Sequence, residues 1–155
     1  MLKALEQSDI DLATTLMTEE FPAQLASIGL SSMEEMLDSW RANRQCTIHD
    51  WELAFYHEDK LGFLSLLYSD DGVRYQTMLI PTVHLKNSAA TAIRTIRRFH
   101  ENLEARTARR FTTAGICTPA LAKWHRAIGY TQEGVHPLAG ADGSDFMSWG
   151  RINHG

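Results

Sequence analysis

The chain has 155 residues, 44% of them hydrophobic and 22% charged, which fits one domain able to bury a core without staples. Its two cysteines, Cys46 and Cys117, make no disulfide framework and point to a reducing cytoplasm, and no apolar run nears the ~20 residues that span a bilayer. The net charge of −4 splits into 12 acidic and 3 basic side chains over residues 1–59 and a basic remainder, in which seven of the fifteen Lys and Arg lie between Lys86 and Arg110; without zinc-finger spacing or a strongly basic balance, nucleic acid is not an expected partner.

Residues 1–5 read as a short first strand. Ser8 or Asp9 caps a helix through about Glu20, with Ile10, Leu12, Ala13, Leu16 and Met17 on its apolar face. Phe21-Pro22 ends it, since proline cannot continue the backbone ladder. The spacing from Ser32 to Glu35 is that of a capping box and opens a second helix to about Asn43, with Met33, Met36, Leu37 and Trp40 inward. Residues 51–57 and 61–68 are strands around the polar turn Glu58-Asp59-Lys60, and residues 73–80 complete a meander after a turn at Ser69-Asp70-Asp71-Gly72. Residues 88–110 predict the longest helix, with Ala89, Ala92, Ile93, Ile96, Phe99, His100 and Leu103 on one stripe and Arg94, Arg97 and Arg98 opposite. A strand over 111–117, a helix over 119–128 opened by Pro119, and a strand pair over 131–136 and 146–152 across the Gly-rich loop 139–144 follow. No repeat or linker divides the chain, so one domain over residues 1–155 is expected. The class is mixed α/β: a twisted sheet of about six to seven strands with helices on both faces, in the order β-α-α-β-β-β-α-β-α-β-β.

Two stretches carry the chemistry. In residues 78–96 an apolar strand breaks at Pro81 and restarts as a helix near Ser88. A helix N-terminus opening off a sheet is an anion site, because its free N–H groups and its dipole face outward. In residues 119–134 a short helix ends at Ile128-Gly129-Tyr130 and hands over to a strand. Leu79-Ile80-Pro81, then His84-Leu85-Lys86-Asn87-Ser88-Ala89, then Thr118, His125 and Gly129-Tyr130 resemble the cofactor-binding half of the GNAT superfamily of N-acetyltransferases. The element order resembles that fold over the whole chain.

The resemblance implies acetyl-CoA, or another acyl-CoA, and direct transfer of the acyl group to a primary amine without a covalent enzyme intermediate. It implies that backbone N–H groups of Thr77, Met78 and Leu79 hold the pantetheine. Leu85, Lys86, Asn87, Ser88, Ala89 and Ala90 would hold the pyrophosphate, and Thr118 takes the place of an Asn beside the cofactor. Ser88, Ala89 and Ala90 are small enough to let phosphates approach, Asn87 tolerates the left-handed backbone of the glycine it replaces, and Lys86 adds a charge. Without a ligand, Asn87 or Ser88 is simply a helix N-cap. His125 stands where the family often has a Tyr that protonates the departing thiolate, a task within reach of imidazole; the alternative is a structural histidine. The amine must lose a proton, and residues 73–80 hold no carboxylate, so Glu52, the nearby Asp50 and His84 are the candidate bases.

Among the remaining signals, the seven histidines lack zinc-type spacing and no metal is expected. Cys117 reads as a buried structural cysteine, Gly129 as a left-handed helix C-cap and Trp124 as core. The expected partner is an amine acceptor, small molecule or protein, and the acidic residues 1–59 favour a cationic one such as a lysine, a polyamine or an aminoglycoside. The competing reading is a catalytically degenerate protein of the same fold that binds another protein through Trp and Met of its acidic N-terminal helices. A homodimer is compatible with either reading, and a membrane partner with neither.

Overall fold

Apolar side chains of the segment 53–80 build the centre of the molecule. The computed structural model describes residues 1–43, 49–116 and 118–153, so the readings on Cys46 and Cys117 fall outside the described residues. Strands β2 (His49–His57), β3 (Lys60–Ser69) and β4 (Arg74–Pro81) form the antiparallel meander, with β1 (Leu2–Ala4) on its outer edge. Glu58 and Asp59 both take positive φ (50° and 63°), the two-residue turn whose twist matches a hairpin, so Lys60 already pairs with His57. The chain then adds β5 (Arg110–Ile116) parallel to β4, and β6 (Thr131–His136) and β7 (Phe146–Ile152) complete seven strands in the order β1-β2-β3-β4-β5-β7-β6.

From Leu61 to Leu67 strand β3 is buried on both faces, as a central strand covered by helices must be. Helices α1 (Gln7–Thr15), α2 (Phe21–Ser27) and α3 (Met33–Asn43) cover one face through Ile10, Phe21, Leu25, Met33, Met36 and Leu37 against Ala54, Leu64, Leu66 and Ile80. Helices α4 (Ala89–Glu104) and α5 (Pro119–Ala127) cover the other through Ala92, Ile96, Leu103, Ala122 and the following Ile128, against Phe55, Phe63, Leu67 and Phe111. The Phe55 and Phe63 rings stack at 4.8 Å. Truncating a buried aromatic of this kind typically costs about 3–5 kcal/mol.

Three boundaries differ from the sequence expectation. The first helix stops at Thr15, well short of Glu20, because Leu16 and Met17 turn their backbone to the segment after β4: Val83 N–H donates to Leu16 O at 3.0 Å and Met17 bridges Thr82. Phe21-Pro22 begins a helix instead of ending one, since a proline in the first turn lacks only an N–H that has no helical partner there. The long helix ends at Glu104 rather than Arg110. Thr107 Oγ1 donates to Gly72 O at 2.7 Å and Arg109 N–H to Val73 O at 2.8 Å, and this swings the chain into register with β4.

Helix α1 is capped from Glu6, not from Ser8 or Asp9, and Asp9 supplies the reciprocal bond by accepting from Glu6 N–H at 2.9 Å. Asp9 is 2% exposed and also accepts from Tyr56 Oη (2.6 Å) and pairs with Lys3 Nζ (2.9 Å). Burial opposes its charge, but the Tyr56, Lys3 and Glu6 hydrogen bonds outweigh it and hold the carboxyl below its usual value. A depressed folded-state pKa gives stability that is present above the unfolded pKa of about 4 and lost as pH falls through the folded one. We expect Asp9→Ala to cost about 3 kcal/mol at pH 7, and the difference from wild type, read by urea melts, to shrink below pH 4.

Candidate functional site

The sheet is forked. Strand β4 pairs with β5 only at Arg74, Tyr75 and Gln76 opposite Arg110, Phe111 and Thr112, although both strands run on, to Pro81 and Ile116. Thr77 marks the fork: its Oγ1 donates to Thr112 O at 3.1 Å and lies 3.1 Å from the Tyr130 hydroxyl. Ladder phase sets which backbone groups face the gap. Thr82 N–H donates to Gly62 O at 2.9 Å, so even-numbered residues of β4 bond to β3, while Thr77 and Leu79 turn their backbone groups toward β5. Met78 therefore offers its side chain to the gap while its N–H serves β3. Leu79 lies beyond the last rung to β5 among the described residues, its N–H and C=O turned toward the gap.

The gap opens into a cleft of about 100 Å3 that passes through the sheet. Met78, Leu79 and Ile80 line one wall and residues 113–116 the other. A smaller recess behind it, between Thr77, Ser65, His100 and Tyr130, shares Trp124 and His125 with the cleft. No described residue lining either space is Asp, Glu, Lys or Arg.

Helix α5 delivers His125 to this place. Thr118 caps the helix by accepting from Leu121 N–H at 3.2 Å, and Pro119 fits its first turn. Gly129, at φ +94°, ends the helix where an added Cβ would fall 2.7 Å from Arg151 Nη1. The His125 ring packs beside Trp149 (5.1 Å between centroids) and Tyr130 (6.1 Å), and its buried Nδ1 makes no hydrogen bond. Burial pushes its pKa down to about 4. At neutral pH the ring is uncharged, with one N–H and one lone pair, so the imidazolium implied by a proton donor is not the resting form. His100 is driven down further, to about 3, by burial and then by Arg151. Burial raises the Tyr130 hydroxyl far above its usual value, so it stays protonated.

The other sequence candidates are placed as follows. Leu85, Lys86 and Asn87 form a single 3-10 turn beyond the end of β4, and Ser88, Ala89 and Ala90 follow at the start of α4. Ser88 takes the N-cap position of α4, as the alternative has it, but it is buried and its hydroxyl makes no capping bond, which leaves the helix opening free of a side-chain acceptor. Leu85 packs on the α4-side core, whereas Lys86, Asn87 and Ala90 are exposed. None of these six residues lines the cleft proper. Glu52 sits on the opposite face of the sheet from α4, its carboxylate held by Arg41 Nε (3.2 Å) and Nη2 (2.9 Å). His84 precedes the 3-10 turn, and neither it nor Glu52 reaches the lining. Sequence reasoning missed Gln24, Met36, Thr113, Gly115 and Trp149, all on the walls. Gly115 alone carried a readable signal, since glycine inside a strand pattern marks a place kept open for close approach.

No protein-family model matches the chain, and no curated protein matches it in sequence. Solved structures match it along its whole length, and they define its fold as that of the GNAT N-acetyltransferases. A ribosomal-protein-alanine N-acetyltransferase from Brucella melitensis matches with a TM-score of 0.72 at 12% identity, covering 99% of each chain. A spermidine N-acetyltransferase from Vibrio cholerae, in complex with CoA and spermine, matches with 0.72 at 12% identity over 98% of this chain and 94% of its own. A GNAT superfamily phosphinothricin acetyltransferase from Sinorhizobium meliloti, in complex with acetyl-CoA, gives 0.71 at 12% over 98% and 87%. No helix among the described residues is long and apolar enough to cross a membrane.

Proposed function

We propose that residues 1–155 form one acyl-CoA-binding domain that transfers an acyl group, acetyl in the first instance, to a primary amine by direct attack. The fork between β4 and β5 carries this reading. It leaves the Leu79 N–H and C=O turned into the gap beyond the last rung to β5, where the amide-bearing arm of a CoA thioester would pair with them as an added strand does. The diphosphate would lie at the uncapped start of α4, against the N–H groups near Ala89 and Ala90, with Lys86 adding charge. Two proteins of this fold are in complex with CoA or acetyl-CoA, which supports an acyl-CoA as the ligand.

In the transfer the amine nitrogen bonds to the acyl carbon, the C–S bond breaks, the sulfur leaves as thiolate and the nitrogen sheds a proton. Of the four candidate bases and acids, His125 is the one in the lining, and its neutral ring accepts the nitrogen's proton and is then able to return it to the thiolate. Glu52 serves instead to tie α3 to β2 through Arg41.

Calorimetry with acetyl-CoA and with CoA tests the reading, with micromolar binding expected. Ala89→Glu should abolish it and leave the melting temperature unchanged, because a carboxylate at a helix start suits the helix but repels a diphosphate. No heat at millimolar acetyl-CoA would sink the proposal. The uncharged lining of the described cleft favours one second reading, a protein of this fold that binds another protein without catalysis. Acetyl-CoA binding with no turnover of any amine would select it.

A further inference from the structure

This inference rests on the acyl-transfer reading above and concerns the acceptor. The mouth of the cleft on the α1–α3 face is built by α2 and α3. Phe21, Leu25 and Ile28 from the α2 segment and Met36 from α3 face Met78 and Ile80 of β4. Two polar side chains join them, Gln24 and Ser27, and the Ser27 hydroxyl is spent on Gln24 O at 2.6 Å. The loop between β6 and β7 is tied onto this mouth by Ala141 N–H donating to Ser27 O at 2.8 Å.

None of the acidic residues 1–59 is among the described residues that line this mouth. Asp9 is consumed by Lys3 and Tyr56, and Glu52 by Arg41. Glu34, Glu35 and Asp38 are exposed on α3 away from the mouth, and Glu20 lies outside the lining with its Oε2 3.4 Å from Thr118 Oγ1. An alkylammonium entering this mouth finds no carboxylate among the described lining residues, and burying an unpaired charge is strongly opposed.

We propose that the acceptor is a weakly basic primary amine carried on an apolar group, taken up in its neutral form. Amines with pKa values of about 7.7–8.0, such as an amino-acid α-amine, are more than about half neutral at pH 8, whereas a lysine-like amine near 10.4 is neutral to less than about 1%. The apolar carrier packs against Phe21, Leu25, Ile28 and Met36, and Gln24 is the side chain left to orient it. Basicity, and not only shape, thus sets specificity at this mouth.

The test measures free thiol released from acetyl-CoA at pH 8 with four amines: phenylalaninamide (apolar, weakly basic), glycinamide (small, weakly basic), phenethylamine (apolar, strongly basic) and spermidine. Phenylalaninamide should lead phenethylamine by about 100-fold in kcat/KM, the ratio of their neutral fractions, and glycinamide by at least about 10-fold, the usual worth of a filled apolar pocket. The isosteric Gln24→Glu places a carboxylate in the mouth and should narrow the lead over phenethylamine by at least about 10-fold. If acetyl-CoA binds but spermidine outruns phenylalaninamide, or neither is acetylated, this inference is overturned while the cofactor site stands. If acetyl-CoA does not bind, the underlying reading has failed first.

Discussion

Gly115→Phe is expected to lose acetyl-CoA binding by at least about 100-fold, some 2.7 kcal/mol, while the protein melts at the same temperature or slightly higher. Gly115 lines the cleft, and a Cβ built on it meets nothing within 4 Å. It shares a strand face with Phe111, toward α4 and α5, so an aromatic side chain there enters the space assigned to the acyl donor. The substitution asks nothing of the fold, because this glycine lacks the positive φ found at Gly129 and Gly143. Glycine weakens a strand interior, so replacing it by an aromatic residue gains up to about 1 kcal/mol. Opposite signs for binding and stability separate a blocked site from a damaged fold. Gly129→Phe supplies the contrast: its Cβ would sit 2.7 Å from Arg151 Nη1 at φ +94°, so it should lower the melting temperature before binding is ever measured. Wild-type affinity in Gly115→Phe would show that the fork is not the cofactor site.

Whether a feature was legible in the sequence followed from whether its cause is local. The hairpin at Glu58-Asp59, the turn after Ser69, the Pro119 helix and the break after Pro81 come from residues a few positions apart, and the structure has each. Pro22 was misread because proline has two local meanings, helix stop and helix first turn, and tertiary context chooses between them. The fork was not legible at all. It is a pairing that ends between Gln76 and Thr112, 36 residues apart, and no pattern within either strand records where its partner stops. Charge is equally non-local: a count over 59 residues cannot tell that Asp9 and Glu52 are paired with Lys3 and Arg41. Position in the sequence singles out His125, but its ionisation depends on burial among Tyr130 and Trp149, contributed by the end of the chain.

That burial decides the remaining prediction. His125→Phe is expected to lower turnover by about 10²-fold or more while leaving acetyl-CoA affinity near its wild-type value, the usual worth of a positioned proton-transfer group. Phenylalanine conserves the packing against Trp149 and Tyr130 and removes only the nitrogens. Because burial holds the imidazole near 4, the neutral ring is present throughout the physiological range, and its contribution to wild-type kcat/KM should vanish only as pH falls through about 4. A ring acting as imidazolium would instead show a rate that rises toward acid. Stability carries an independent readout of the same cause. The unfolded chain takes up a proton near the ordinary 6.5 while the folded ring resists until about 4, so wild type loses stability as pH falls between those values. His125→Phe lacks that proton uptake and should lose less on going from pH 7 to pH 4.5, with the residual loss set by groups such as His100. A variant that is slower at pH 8 and relatively firmer at pH 4.5 would be the signature of a buried, neutral, proton-accepting histidine. A variant with full turnover would transfer the proton handling to water and leave His125 as packing.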